Sequence, residues 1–334
     1  MFDFFDKLII ILLLIINTHL VIKKNKICEH NNIINKEKIL KENKNNIYKD
    51  LLKLYIENKE MFYKKGREYI LGKRGEIYNE SHLVTFQDKI NYLLIHESPE
   101  NKTNIVDKIL LRNYTKKILG KDICPQILKI YKDIDEINLD ELPEKFVLKC
   151  NHGSGMNIVC DDKTKFNLAR AKHVLKKWMN INYGLWQFEY QYLNIEKRIF
   201  AEKFLVNEMI NYKFYCFNGI PKLIRVKGNI NGTNIYNMYY TNWTISNIEF
   251  DFTNYVKDSK NIFKKPINFE KMLYYAKLLS AEFCFCRVDY YEVDGLLYLS
   301  ELTFSPFNAY IKYKKKEMEI YLGSLINISK IEST

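Results

Sequence analysis

Cys286-Arg287-Val288-Asp289-Tyr290-Tyr291-Glu292-Val293-Asp294-Gly295-Leu296-Leu297-Tyr298-Leu299-Ser300-Glu301-Leu302-Thr303-Phe304 is the stretch on which the fold turns. Two runs of β-branched and aromatic residues flank an Asp-Gly pair, the signature of a β-hairpin. Register decides its chemistry, because a slip of one residue exchanges the two faces. A two-residue turn would put Asp289 and Glu301 on opposite faces. A three-residue loop, Val293-Asp294-Gly295, with Gly295 left-handed as a bulge, pairs Glu292 with Leu296. It gathers Arg287, Asp289, Glu301 and Thr303 on one face and Val288, Tyr290, Tyr298, Leu302 and Phe304 on the other. This register separates polar from apolar and is the expected one. Facing carboxylates repel unless a cation lies between them, and hard oxygen donors suit Mg²⁺. A solvated sheet face with an Arg–carboxylate pair would carry the same residues.

Upstream, sheet and helix alternate. Asn268 caps a helix over 269–283 with Met272, Leu273, Ala276 and Leu279 on its apolar side. Tyr212-Lys213-Phe214-Tyr215-Cys216-Phe217 is a strand turning at Asn218-Gly219 into Lys222-Leu223-Ile224-Arg225-Val226. Lys213, Tyr215 and Phe217 share one face, Phe214 and Cys216 the other. Arg198-Ile199-Phe200-Ala201-Glu202-Lys203-Phe204-Leu205 is another strand. Phe146-Val147-Leu148-Lys149-Cys150 is a short buried strand, followed by Asn151-His152-Gly153-Ser154-Gly155 and a returning strand, Asn157-Ile158-Val159-Cys160. A Gly-Ser-Gly tip brings backbone N–H groups close to an anion, and Lys149 at its mouth adds a point charge suited to phosphate. An ordinary glycine hairpin with a lysine on its edge reads the same way. No Gly-Lys-Ser/Thr follows, which excludes a Walker loop. His152 reads as a loop residue rather than a general base. Asn167 caps a helix carrying Leu168, Ala171, Val174, Leu175 and Trp178 on one side. The aromatic stretch 183–192 either covers a site or packs on the core, the second being the better fit. Mostly antiparallel strands alternating with helices make the class α+β.

In front of these, Thr85 caps a helix beginning at Phe86, and Asn104 a second, with Asp107 at its third position and Gly120 past its end. Ile105, Ile109 and Ile118 supply the second helix's stripe. Residues 25–84 read as a polar linker and helical lead-in, with a helical patch over 47–61 and breaks at Gly66, Gly72 and Gly75. Residues 8–16 are wholly apolar, and Leu20-Val21-Ile22 resumes after Asn17-Thr18-His19. That run is short of the roughly twenty residues that span a bilayer. Asp3 and Asp6 spoil a signal-peptide leader. A short membrane anchor, a buried helix and an upstream extension all fit residues 1–24. Lys23, Lys24 and Lys26 would keep the following chain cytoplasmic, at the inner face of the membrane if the anchor reading holds.

The 334 residues are 47% hydrophobic and 14% aromatic, which excludes a disordered chain. The net charge of +12 is scattered rather than massed, favouring a small anionic substrate or a membrane surface over nucleic acid. Seven cysteines without a Cys-x-x-Cys fit no zinc site and read as reduced cytoplasmic thiols. Cys284 and Cys286, two apart on a strand, would share a face without bridging.

Taken in order, these segments resemble the TupA-like ATP-grasp family. The resemblance is carried by Phe146-Val147-Leu148-Lys149-Cys150-Asn151-His152, Ala201-Glu202-Lys203-Phe204-Leu205, Tyr212-Lys213-Phe214-Tyr215-Cys216-Phe217-Asn218-Gly219, Arg287-Val288-Asp289-Tyr290 and Glu301-Leu302-Thr303-Phe304. Thr85-Phe86-Gln87-Asp88-Lys89 and Val106-Asp107-Lys108 fit its front end. It implies a helical section over 85–145 and an ATP-grasp domain over 146–328, two α+β subdomains sandwiching ATP and Mg²⁺. Lys149 would contact the phosphates, and the His152-Gly153-Ser154-Gly155 loop would close over them. Glu202, Lys203 and Leu205 would form the hinge strand beside adenine, partly through backbone groups, with Lys213 a second phosphate or nucleotide contact. Asp289 and Glu301 would hold Mg²⁺, with Thr303 where many ATP-grasp enzymes carry Asn, and Arg287 would stabilise the phosphorylated intermediate. The implied activity is ATP-dependent ligation of a small-molecule or glycan carboxylate to an amine through an acyl phosphate, in making cell-surface polymers such as peptide-modified acidic polysaccharide. Two departures stand out: Asn211 replaces the family's usual Asp, and residues 305–309 read Ser-Pro-Phe-Asn-Ala rather than Pro followed by glycine and small residues. A non-ligating ATP-binding subunit of polysaccharide assembly and a metal-dependent glycosyltransferase are the competing expectations.

Overall fold

The computed structural model describes residues 54–72, 75–206, 209–251, 255–258 and 263–332. The chain divides into two compact units, Met1–Tyr78 and Asn79–Thr334. In the first, helix α1 (Lys59–Gly72) sets Phe62 edge-on against Tyr55, with ring centroids 5.4 Å apart. It runs straight through Gly66, which therefore does not break it, and ends at Gly72. The expectations for 1–24 and for the stretch up to 53 lie outside the described residues. No helix among the described residues is long and apolar enough to cross a membrane.

The second unit holds two sheets. The first is antiparallel, built from β1 (Ile127–Tyr131), β2 (Phe146–Cys150), β3 (Asn157–Cys160) and β4 (Ile199–Lys203) in the order β1-β4-β2-β3. The second has β5 (Asn211–Phe217), β6 (Ile220–Ile230), β7 (Thr233–Tyr240), β8 (Val256–Lys257), β9 (Phe285–Val293) and β10 (Leu296–Thr303) in the order β10-β9-β5-β6-β7-β8. Among the described residues only β7 and β8 pair in parallel. The architecture is the expected α+β arrangement.

Helices enter from N-caps legible in the sequence. Thr85 and Asp88 form a capping box on α2 (Phe86–His96): Thr85 Oγ1 accepts from the Asp88 N–H at 3.1 Å, and Asp88 Oδ2 from the Thr85 N–H at 2.9 Å. The helix expected from Asn104 is two. Asn104 lies inside α3 (Glu100–Val106), and α4 (Leu111–Leu119) starts afresh and closes on left-handed Gly120. The break lies at Asp107, whose carboxylate accepts from the N–H groups of Ile109 (2.7 Å) and Leu110 (3.2 Å), a local alternative to helical bonding. Asn167 caps α5 (Leu168–Met179), accepting from the Arg170 N–H at 2.8 Å. The short helix α6 (Tyr183–Gln187) follows. The last long helices are α7 (Phe269–Ser280) and α8 (Lys316–Ser324). Asn268 precedes α7 without capping it; its side-chain amide donates instead to Glu292 and to the Gly295 carbonyl, both at 2.8 Å.

The two faces of the second sheet have different tasks. Phe214, Cys216, Ile224, Val226, Val288, Tyr290 and Leu302 face α7 and join one core that continues under the first sheet through Phe146, Leu148, Cys150 and Ala201. The opposite face is apolar at one end, where Tyr215, Phe217, Leu223 and Phe285 pack with Phe86, Ile90 and Leu94 of α2 and Leu322 of α8. Further along, the same face carries Lys213, Arg225, Arg287 and Asp289. Cys284 joins the second core and Cys286 the first, so they do not share a face: the chain bends at Cys284 and β9 begins only at Phe285. The six described cysteines are free thiols. Gly323 allows α8 to sit on the start of α2, since a Cβ there would lie 2.3 Å from the Val84 carbonyl oxygen and 2.6 Å from Thr85 C. Backbone cannot give way as a side chain can, so Gly323→Ala is expected to cost about 1–3 kcal/mol, measured as a lowered denaturation midpoint at unchanged slope.

The hairpin reaches the expected grouping by another route. Asp294 (φ 52°) and Gly295 (φ 72°) are both left-handed, the two-residue type I′ turn, and Val293 pairs with Leu296. The register then shifts between Leu299 and Glu301, leaving Ser300 as the extra residue of a bulge. β10 is an edge strand, where a bulge is tolerated, and the Leu299 N–H donates instead to the Ile123 carbonyl at 2.8 Å. Beyond the bulge Glu301 faces Asp289 and Thr303 faces Arg287. Before it Tyr298 faces Tyr291, and the core position expected for Tyr298 belongs to Leu299, fully buried.

Candidate active site

Between the two sheets of the second unit lies a cleft of about 330 Å³. Alternation along β2 and β4 decides what faces it. Val147, Lys149 and Glu202 point in, while Phe146, Leu148, Cys150 and Ala201 enter the core. The lining is mixed: Val147, Met156, Val159, Phe204 and Leu205 are apolar, and Lys108, Lys149, Glu202, Lys213, Lys227 and Glu301 are charged. Such a wall offers contacts both to an aromatic base and to a charged tail.

Lys149 and Glu202 form an ion pair across β2 and β4. Lys203 and Leu205 also line the wall, with 204–206 running on beyond the end of β4. The glycine loop is anchored from beneath. Asn151 is 1% exposed; its amide donates to Asp107 Oδ2 (2.8 Å) and the Glu196 carbonyl (2.9 Å), and its oxygen accepts from the Arg198 N–H (2.8 Å). The Lys108 ammonium donates to the Gly153 carbonyl. Burial lowers the Lys108 pKa, opposed by the charge of Glu301.

The loop departs from expectation at three positions. Only Gly155, at φ 73°, lines the cleft; His152, Gly153 and Ser154 do not. His152 is 1% exposed, and its Nε2 lies 3.1 Å from the Trp178 carbonyl, so the ring ties the loop to the end of α5. Gly153 is required for packing: a Cβ there would lie 2.7 Å from Cδ2 of Tyr183. Most of the aromatic stretch 183–192 packs in the core, with Tyr183, Phe188, Tyr190 and Tyr192 buried and Trp186 exposed.

His152 makes the fold acid-sensitive. Burial pushes its pKa down to about 4, and Nδ1 is buried with no hydrogen-bond partner among the described residues. The unfolded chain binds a proton near pH 6.5 and the folded chain does not until about pH 4. Stability from this group is complete above pH 6.5 and falls as the pH drops towards 4, by about 3 kcal/mol in all. His152→Gln, which can still donate to Trp178, is expected to flatten that part of a denaturation-against-pH profile.

Across the cleft, β5, β9 and β10 bring the hairpin residues together. Lys213 pairs with Asp289, and Arg287 donates to both Asp289 oxygens at 2.7 Å. Asp289 is 1% exposed, Arg287 5% and Lys213 6%. Burial opposes the charge on Asp289, but Arg287 and Lys213 outweigh it and hold the carboxyl below the usual range. Burial, reinforced by Arg287, pulls Lys213 down to about 7 against the pull of Asp289 and Glu301. This is a buried ion cluster, not a solvated face, and of Arg287, Asp289, Glu301 and Thr303 only Glu301 reaches the cleft wall.

The oxygens there suit a cation. Arg287 Nη2 lies 2.7 Å from Asp289 Oδ2 and 3.1 Å from both Glu301 Oε1 and Thr303 Oγ1. Three hard oxygens thus converge on one positive point. Among the described residues no group of three or more His, Cys, Asp or Glu forms a metal cage. Two carboxylates and a hydroxyl are hard oxygen donors of the kind Mg²⁺ takes, its shell commonly completed by phosphate oxygens and water. A metal would have to displace the guanidinium.

A family model described as "TupA-like ATPgrasp" matches residues 88–327. The chain belongs to the TupA-like ATP-grasp family. No curated protein matches the sequence. Among solved structures the chain is similar to D-alanine–D-alanine ligase from Bacillus anthracis complexed with ATP, at 13% identity and TM-score 0.36, covering 68% of this chain and 64% of that one. It is similar to N5-carboxyaminoimidazole synthetase from Staphylococcus aureus complexed with ADP, at 13% identity and TM-score 0.36, over 61% and 46%. It is similar to L-amino acid ligase from Bacillus licheniformis, at 13% identity and TM-score 0.35, over 61% and 41%. The chain thus spans less than two thirds of each.

Among the charged cleft residues of this ATP-grasp chain, two had no assigned role in the sequence, Lys108 and Lys227. The first lies 45 residues from the loop it holds, beyond any local pattern. The second lies on β6 opposite Asn211, and both line the cleft.

Proposed function

We propose that the chain is an ATP-dependent carboxylate–amine ligase working through an acyl phosphate. The observation that carries the reading is the cleft itself, which combines apolar side chains with Lys108, Lys149, Lys213 and Glu301, and whose Glu301 shares the Arg287 guanidinium with oxygens of Asp289 and Thr303. Adenine would lie against Val147, Val159 and Leu205, beside the end of β4. Lys149 would exchange Glu202 for phosphate, and Gly155 would approach the phosphates through its backbone. Asp289, Glu301 and Thr303 would hold Mg²⁺, which neutralises charge on the transferring phosphoryl group. Arg287, displaced from those oxygens, would turn its fork to the same group.

A substrate carboxylate oxygen would attack the γ-phosphorus and ADP would leave. The amine would then attack the acyl carbon and release phosphate, forming the C–N bond. The role extends to cell-surface polymer synthesis, where a chain of net charge +12 suits acidic acceptors. The test is ADP release from ATP and Mg²⁺ with a panel of amino acids and uronic acids. Release that needs both a carboxylate and an amine supports the reading. ATP binding without turnover across the panel favours a non-ligating subunit, and a UDP-sugar bound in preference to ATP favours a glycosyltransferase.

A further inference from the structure

Four strands of the second sheet carry a charged row in register. Arg225 on β6 faces Lys213 on β5, Lys213 faces Asp289 on β9, and Asp289 faces Glu301 on β10. Two cations are thus followed by two carboxylates across the sheet. The next row on the same face runs Leu223, Tyr215, Arg287, Thr303. Every polar side chain of the two rows has a task in the reading above except Arg225 and Tyr215. Neighbouring strands lie about 4.8 Å apart, so Arg225 stands about 10 Å from Asp289. It does not line the nucleotide cleft.

Arg225 is 4% exposed, and its guanidinium lies 4.7 Å from the ring centre of Phe307 and 5.9 Å from that of Phe250. Rings engage a guanidinium by its face, whereas an anion takes its in-plane fork, so the two contacts are compatible. Phe307 is itself 38% exposed, so the ring against this buried cation reaches solvent. It stands in a loop of unusual backbone: Phe307, Asn308 and Ala309 have φ 56°, 57° and 52°, left-handed in succession without a glycine. Such a loop persists where its surroundings over-determine it. Ser305 is bonded to Glu189 and Gln191, and Asn308 donates to the Gln187 carbonyl at 2.8 Å. Tyr215, diagonal to Arg225 across β5 and β6, is fully buried, and its hydroxyl has no hydrogen-bond partner among the described residues. Buried hydroxyls are ordinarily bonded, and an arriving anion would supply the acceptor.

We propose that Arg225 binds a second acidic group of the carboxylate substrate, beside Tyr215 and under Phe307, so that the substrate class is a diacid. The proposal rests on the ligase reading above, in which the reacting carboxylate lies at the metal and Arg287. Lys213 then serves the phosphates, and Arg225 serves the anion further along the same face.

The experiment measures MgATP-dependent ADP release by the full chain with hydroxylamine as the amine. An oxygen of the acid attacks the γ-phosphorus and ADP leaves. The hydroxylamine nitrogen then attacks the acyl carbon, phosphate leaves, and a hydroxamate remains. Acids are compared in length-matched pairs: glutarate with pentanoate, adipate with hexanoate, galactarate with galacturonate. In at least one pair the diacid is expected to exceed the monoacid at least about tenfold in kcat/KM, chiefly through KM. In Arg225→Met that ratio should fall to about one, as the fork is lost. Phe307→Ala, a change at a partly exposed ring, should lower it about threefold. Ratios near one in every pair of the parent overturn the proposal and leave the ligase reading standing. A ratio that survives Arg225→Met also overturns it. Where that variant does not fold, Phe307→Ala decides, and an unchanged ratio there overturns the proposal. MgATP binding without ADP release from any acid overturns ligation and the diacid together, and no MgATP binding overturns the nucleotide reading as well.

Discussion

Asp289→Ala is expected to destabilise the protein by about 3–5 kcal/mol before any question of catalysis arises. Asp289 is the shared partner of two buried cations, Arg287 and Lys213. Removing it leaves Lys213 without its ion-pair partner and Arg287 with Glu301 alone. Asp289→Asn keeps the volume and one acceptor oxygen but leaves the net positive charge, so a large part of the loss should remain. Lys213→Met in the Asp289→Asn background removes one of the stranded charges and is expected to recover part of the loss. Urea denaturation of the single and double variants measures the coupling. A double variant as unstable as the sum of its parts would mean that the Lys213–Asp289 pair contributes nothing to folding. The size of the effect follows from burial: exposed ion pairs contribute about 0–1 kcal/mol, and this pair is not exposed.

Glu301→Gln is expected to do the reverse, leaving stability nearly intact while lowering Mg²⁺-dependent turnover by about 10²–10³. Glu301 lies at the cleft wall with its side chain 27% exposed, bonded to Arg287 at 3.1 Å and accepting from Thr303 at 3.2 Å. A glutamine can still accept from the guanidinium, so the ion cluster behind it survives. It cannot supply the negative oxygen that a divalent cation takes in exchange for Arg287. The signature is a denaturation midpoint close to the parent, with a sharply raised Mg²⁺ requirement for ATP turnover. Equal loss of stability in Glu301→Gln and Asp289→Asn would mean that the two carboxylates share one structural task. Their different burial argues for two.

Turn and cap chemistry made much of this fold legible. The Asp-Gly and Asn-Gly turns, the Thr85 and Asn167 caps and the Gly120 terminus are local signals, and the structure has each of them in place. The hairpin grouping was legible for a subtler reason. The bulge was expected at Gly295 and occurs at Ser300, but one extra residue at either place restores the same pairing of faces beyond it. Tyr298, lying between the two places, is therefore the residue that was misplaced. Strand β7 went unread although Asn231-Gly232 carries the same turn signal as Asn218-Gly219. Its alternation is broken by Asn237, fully buried and donating to the Asp258 carbonyl at 3.0 Å. Asp107 looked like a first-turn acid and ends a helix instead, because its carboxylate takes two backbone N–H groups. The hardest features were contacts between distant residues. Lys108 on Gly153 and Tyr183 beneath the glycine loop depend on how elements are stacked, which no periodicity encodes.

MgATP is expected to occupy the cleft between Lys149 and Glu301. Calorimetric titration of the full chain with a non-hydrolysable ATP analogue tests it most directly, run with and without Mg²⁺, on the parent and on Lys149→Met. One site per chain is predicted, weakened at least about tenfold by omitting Mg²⁺ and again by Lys149→Met. No binding, or binding indifferent to both changes, would contradict the account.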